Sequence, residues 1–398
     1  MAETGVGNAA RQAGTRQGII ILAASVMPIM AIISLVPVLP LLMREFASVA
    51  GSEFLVPMAL TIPALCVALF APVAGWLSDR LGRKTLLVTA LLLYAAFGIV
   101  PWFLDDLFQI IGARVALGIV EAIIMTVATA LIGDYFVGER REKWIALQVA
   151  VGSIAAIALI AIGGGLGELF GSRGPFLLYL VAIPIALAAA TILFEPEVKA
   201  NDAGLAKPGF PYRAILPLVF TTLGVGIVFY TVIVQLGPIL ELSGAVSPVI
   251  IGLIGAGTNL GVGLGTFVFD RLKDKAGPLL LALGLAVAAI GYIGIGLSSV
   301  LPMIGAFAIL ACIGSGILLP NMLTWTMRRL PAEMRGRGTG MWTGAFFLGQ
   351  FLAPIVAASA MQATGGLANA LTVYAGLIAI GAIAALLFAR KPTFEATT

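Results

Sequence analysis

The chain has 398 residues, 60% of them hydrophobic and 11% charged, with a formal net charge of +4 and no histidine. Soluble domains carry about 25% charged residues and about 45–50% apolar ones, so this composition leaves no room for a large water-soluble domain. The missing histidine excludes imidazole acid–base catalysis, Ser–His nucleophiles and the commonest zinc ligand. The two cysteines, Cys66 and Cys312, lie inside apolar runs and read as small buried side chains, not a disulfide framework.

Residues 1–17 are small and polar, with Arg11 and Arg16; the apolar run behind them is too long for a signal-peptide core and reads as a retained first span. Apolar runs long enough to cross a bilayer, which needs about 20 residues, are expected at 18–42, 55–77, 85–104, 107–133, 144–167 and 175–194. A second set falls at 214–240, 248–269, 277–298, 302–326, 338–361 and 368–389. Unbroken apolar runs exclude the alternating pattern of a membrane β-barrel. The longest polar break, 195–213, divides a six-helix bundle at 1–194 from a second at 214–398.

Placing the N-terminus in the cytoplasm puts all of the 23 basic residues except Arg44, Arg114 and Arg173 at cytoplasmic ends. That asymmetry follows the positive-inside rule and predicts both termini inside.

Between the second and third spans stands Gly75-Trp76-Leu77-Ser78-Asp79-Arg80-Leu81-Gly82-Arg83-Lys84. It resembles the signature loop of the major facilitator superfamily, Gly-x-Leu-Ala-Asp-Arg-x-Gly-Arg-Lys, with Ser78 in place of the usual alanine. Gly75 would permit close helix contact and Gly82 a tight reversal. A carboxylate such as Asp79 suits a helix N-terminus, and Arg83 can fork onto a carboxylate. The resemblance implies a conformational latch of Gly75, Asp79, Arg80, Gly82, Arg83 and Asp134, with Asp79 facing the start of the eleventh span near Thr339. Asp134-Tyr135-Phe136-Val137-Gly138-Glu139-Arg140-Arg141 and Pro331-Ala332-Glu333-Met334-Arg335-Gly336-Arg337-Gly338 look like matching loops of the two halves. Asp270-Arg271 is a degenerate copy of the signature, with Thr266 at the place of its first glycine. Such repetition fits a duplicated six-helix unit.

In the fourth span, Ile111-Gly112-Ala113-Arg114-Val115-Ala116-Leu117-Gly118 resembles the family's motif around an arginine linked to proton coupling; Glu121 follows seven residues later. Seven residues return to the same helix face about 10 Å along the axis, where the two could bracket a proton or a substrate. A mid-membrane charge is costly and so faces a cavity or a partner, and desolvation gives a carboxyl there the means to load and release a proton. In the fifth span, Gly152 and Gly163-Gly164-Gly165-Leu166-Gly167 sit where antiporters of the superfamily carry a glycine motif ending in Gly-Pro; the proline is absent here. Tyr230, Gln235, Asn259, Asn321, Trp342, Phe346, Phe347 and Gln350, with Met27 and Met30, are candidates to line a substrate cavity.

The expected protein is an all-α membrane protein of major facilitator fold, two pseudo-symmetric six-helix bundles rocking around a central cavity. The resemblance is to twelve-helix drug:proton antiporters of the bacterial inner membrane. It implies efflux of a small amphipathic molecule, with protons and the lipid bilayer as partners, no nucleic acid, and a monomer. An uptake symporter or facilitator is the alternative; a membrane enzyme or sensor is a remote one. No enzyme activity, cofactor or metal is expected, and no phosphate-binding loop is present.

Overall fold

The structure is a computed structural model that describes residues 13–196, 210–331 and 334–389. Most of the expected 195–213 connection, together with Arg11, Lys199, Lys207, Ala332, Glu333, Arg390 and Lys391, lies outside the described residues.

The membrane crossings are built on α1 (Thr15–Ile33), α2 (Ser52–Leu81), α3 (Arg83–Ile99), α4 (Leu107–Tyr135), α5 (Gly138–Phe170) and the shorter α6 (Ala182–Ile192). They are followed by α7 (Tyr212–Val234), α8 (Pro248–Leu272), α9 (Gly277–Leu297), α10 (Leu301–Arg328), α11 (Arg335–Thr364) and α12 (Leu367–Ala389). Among the described residues, 11 continuous helical stretches are long and apolar enough to cross a membrane. One of these, Gly138–Ile192, has 55 residues, about 80 Å if straight against a hydrocarbon core of about 30 Å. It turns at Gly171, whose φ of 70° lies in the left-handed region, and comes back through a 3-10 segment, Gly171–Val181. That return brings Glu195 against Arg83 at the far end of the bundle, so the crossings among the described residues number twelve.

Several helices outrun their apolar cores because backbone bonding continues into their polar ends; α5, expected from 144, begins at Gly138. Other spans are subdivided. After Ser34, whose hydroxyl donates to the Met30 carbonyl at 2.7 Å, Pro37 and Pro40 lack N–H groups to continue the ladder. A 3-10 turn, Val36–Val38, and a short helix, Leu39–Glu45, complete the first crossing.

Each half has its own apolar core. Leu87, Leu91, Tyr94, Leu117, Ile124 and Tyr179 belong to one; Ile233, Ala288, Tyr292, Ala311, Leu318 and Leu371 belong to the other. Large apolar side chains such as Leu69, Phe103, Leu169, Phe220, Leu297 and Phe388 are exposed on the outside, where lipid is their solvent. Inside lipid, packing rather than water exclusion brings helices together, and small residues set the closest approaches.

The halves are joined on the face opposite the signature loop. A Cβ on Gly164 of α5 would lie 2.5 Å from the Pro248 carbonyl oxygen and 3.1 Å from Gly252 Cα in α8. No side chain larger than hydrogen fits this crossing. On the same face Arg44 forms an ion pair with Glu241 of the other half, and Gln362 Nε2 donates to Glu53 at 3.3 Å. The glycine run of the fifth span thus has a packing role, with Gly163 against Ser34 and Gly167 against Val38 and Pro248; Gly165 faces open space.

If the glycine crossing seals this face, Gly164→Leu must hold it ajar. A single cysteine at Leu39, fully buried here, would then react with an aqueous maleimide many times faster than in the same protein with Gly164 intact. Equal rates would show that the seal lies elsewhere.

Candidate functional site

The site starts from one proline. Pro63 in α2 has no N–H, so the Ala59 carbonyl four residues earlier loses its helical donor. Arg114 fills that gap: its Nε donates to the Ala59 carbonyl at 3.0 Å and its Nη2 to the Leu60 carbonyl at 3.1 Å. The same Nη2 reaches the Ala31 carbonyl at 2.6 Å, where α1 is giving way to the 3-10 turn, and Nη1 donates to Tyr179 Oη at 2.5 Å. Tyr179 in turn donates to the Ala31 carbonyl at 3.0 Å. The guanidinium, 1% exposed, therefore ties α1, α2, α4 and the segment before α6 into one polar knot. The second half repeats the device in milder form. Pro320 in α10 frees the Gly316 carbonyl, and Thr266 Oγ1 of α8 donates to it at 3.3 Å.

Glu121 is the middle residue of the 29-residue α4. It is fully buried, and neither carboxylate oxygen has a hydrogen-bond partner. The sequence places Arg114 and Glu121 as a bracket around a ligand. In the structure they form no ion pair: Arg114 is engaged by carbonyls and Tyr179, and Glu121 is left alone. The reason is tertiary, since acceptors opened by Pro63 and by the end of α1 lie closer to the arginine than its partner seven residues on.

Between the halves lies a cavity of about 480 Å³, lined by α1, α4 and α5 on one side and α7, α8, α10 and α11 on the other. Met125 and Thr129, four and eight residues after Glu121, form part of its wall, so Glu121 continues the same helical stripe one turn beyond it.

Of the residues expected to line a cavity, Tyr230, Asn259, Phe346, Phe347 and Gln350 do so. Trp342 stacks on Phe346 from outside the lining, with centroids 5.5 Å apart and planes at 7°. Met27 and Met30 do not line it; both are buried in the core of the first half. Gln235 is buried at the end of α7, away from the lining, and Asn321 Nδ2 donates to the Gly277 carbonyl at 3.0 Å, tying α10 to the start of α9. Gln148, whose Nε2 donates to Ser25 Oγ at 2.7 Å, lines the cavity unforeseen. A lone amide in the apolar run of α5 was its sequence signal.

At the signature loop, Gly82 joins α2 to α3 with φ 85°. Arg83 forms an ion pair with Asp134 at the end of α4 and lies 3.6 Å from Asp79 one turn earlier. Among the described residues Asp79 forms no hydrogen bond or ion pair with the start of α11; its side chain is 66% exposed, and Thr339 Oγ1 bonds the Arg335 carbonyl of its own helix at 2.9 Å. Arg80 lies over the Trp76 ring at 4.2 Å. Gly75 faces no tight contact either, since a Cβ there would meet nothing nearer than Thr126 at 3.9 Å. With the opposite face joined, the bonds of this face among the described residues stay within each half. Sequence reading missed Glu195, whose carboxylate accepts from the Arg83 and Lys84 backbone amides and caps α3, and Tyr135, which exchanges hydrogen bonds with the Phe194 backbone.

Two helical bundles joined at one face around a shared cavity leave that cavity able to open toward the other face. The chain belongs to the Major Facilitator Superfamily, whose family model matches residues 20–245 and again 218–398. It is 28% identical over 326 residues to the multidrug resistance protein MdtG of Proteus mirabilis, covering 76% of this chain and 78% of that one. It is 26% identical over 375 residues to the class C tetracycline resistance protein of Escherichia coli, covering 89% and 91%. To the multi-drug resistance efflux pump PmrA of Streptococcus pneumoniae it is 27% identical over 344 residues, covering 80% and 83%. In fold it resembles a bacterial homologue of the human lysosomal transporter Spinster in an inward-facing, occupied conformation. That match has a TM-score of 0.78 at 17% identity and covers 95% of this chain and 98% of that one. The chain is thus a multi-pass membrane transporter and not an enzyme.

The polar knot and the lone carboxyl should part company in stability. Arg114→Ala leaves buried carbonyls unpaired and should cost about 3–5 kcal/mol, seen as a lower unfolding temperature in detergent. Glu121→Gln removes an unpartnered acid and should leave that temperature unchanged or raise it. The reverse order would show that Glu121, not Arg114, is the structural member.

Proposed function

We propose that this chain exports a small amphipathic organic molecule in exchange for protons, by alternating access across a bacterial inner membrane. The observation that carries the reading is Glu121: a fully buried carboxyl with two unpartnered oxygens, one helical turn from the cavity wall. A carboxylate cut off from water and from any donor is costly, so this group takes up either a proton or a ligand that bonds to it. Competition between the two at one carboxyl is sufficient for exchange. Arg114 then acts indirectly, by holding α1, α2 and α4 around Glu121.

The signature loop, with Gly75, Asp79, Arg80, Gly82, Arg83 and Asp134, is proposed as the latch of the opposite state, in which Asp79 would meet the start of α11. The basic face is proposed as cytoplasmic, by the positive-inside rule, which makes the described state inward-facing. The bundles 1–194 and 214–398 are proposed as the rocking units of a monomer, linked by 195–213. Relatives named for multidrug and tetracycline resistance favour export. Uptake by symport uses the same parts and is favoured by one observation: close packing accounts for the α5 glycines without an antiporter role.

Tetracycline is the first solute to test in proteoliposomes carrying a pH-sensitive dye. Any solute the wild-type protein moves should be accompanied by protons, with opposite directions of the two fluxes marking export and like directions uptake. Glu121→Gln should lose all proton movement yet retain downhill exchange of the solute, whereas Asp79→Asn should slow both. Proton coupling at the native ratio in Glu121→Gln would remove the carboxyl from the coupling step.

A further inference from the structure

The cavity also carries information about which molecules enter it, on the reading that it is the substrate site. Its aromatic wall is built from Phe229, Tyr230 and Phe346, with centroids 4.7–6.1 Å apart, a surface for flat rings. Four residues after Phe346 on α11, and so on the same helical face, comes Gln350. This side chain is 1% exposed and lines the cavity, and its buried Oε1 has no hydrogen-bond partner. Pro354 stands four residues further on inside α11 and removes the helical donor for the Gln350 backbone carbonyl. Two acceptors of one residue thus lack their usual donors beside an aromatic shelf.

The charges present point the same way. Among the described residues, no lysine or arginine lines the cavity, and Arg114 is bonded to carbonyls and Tyr179. An organic anion would find no counter-charge in this low-dielectric space.

We propose that Gln350 is a specificity-determining residue, selecting flat heteroaromatic molecules that present an N–H donor beside a carbonyl, as cyclic amides do, and that the cavity refuses organic anions. The side-chain amide offers a donor and an acceptor edge to edge, which a cyclic amide pairs with twice. An unmethylated N–H is required, because without it the buried acceptor stays unmade.

The test is binding to the intact protein in detergent, read by quenching of tryptophan fluorescence, with Trp342 stacked on Phe346 as reporter. Three probes share one ring system: phenanthridin-6-one, its N-methyl derivative and its 2-carboxylate. Phenanthridinone should saturate the quenching, and the N-methyl compound and the carboxylate should each bind about tenfold or more weakly. In Gln350→Leu, checked for an unchanged gel-filtration profile, phenanthridinone should lose that advantage over its N-methyl derivative. Equal binding of the N-methyl compound to the wild-type protein would overturn the selection, with no variant needed. So would tightest binding of the carboxylate, or no saturable binding of any probe. No pH gradient is involved, so these failures leave proton exchange untouched, and a failure of coupling leaves the selectivity standing.

Discussion

Inside a bilayer a polypeptide must satisfy its own backbone, because no water is present to do so. The arrangement of this transporter follows from where that requirement is interrupted. Pro63 and the end of α1 open carbonyls in the core of the first half, and Arg114 with Tyr179 closes them. Pro320 opens one in the second half, and Thr266 closes it. A guanidinium can lie deep in the membrane here because each of its nitrogens has a fixed acceptor. Having those acceptors, it leaves Glu121 without a partner. The unsatisfied carboxyl is thus a consequence of the satisfied arginine.

The two faces follow a complementary logic. On one, glycines at positions 164 and 252 let backbones touch, and Arg44 and Glu241 bridge the halves. On the other, Arg83, Asp134 and Glu195 bind within one half, and Asp79 is left exposed. One joined face and one whose bonds stay within a half fit one end of the proposed rocking motion. The cavity lies between, bounded by side chains of both halves.

The fold was legible because apolar runs of about 20 residues have few alternative readings and because the 75–84 loop recurs in weakened form at Asp270-Arg271. The site was legible only where polarity stood out. Arg114 and Glu121 were conspicuous as charges, but their separation depended on carbonyls freed in other helices, which no spacing within α4 reveals. Met27 and Met30 were misplaced for a different reason. A membrane helix is apolar toward lipid, neighbour and cavity alike, so periodicity does not say which side a methionine faces. Tyr230, Asn259 and Gln350 line the cavity, but polarity only keeps a side chain off the lipid surface and does not choose between a cavity and a neighbouring helix, where Gln235 and Asn321 are buried instead. Glu195 was passed over as part of a polar connection, although its carboxylate caps α3 through two backbone amides.

Proton exchange depends most on the unpartnered Glu121 carboxyl carrying a proton while the far face is sealed. Infrared difference spectroscopy of the purified protein in lipid measures this without a known substrate, through the carbonyl stretch of a protonated carboxylic acid. The wild-type protein is expected to show that band near neutral pH, shielded from rapid deuterium exchange, and Glu121→Gln to lack it. The same band in both proteins, or its absence from the wild type, would contradict the role assigned to Glu121.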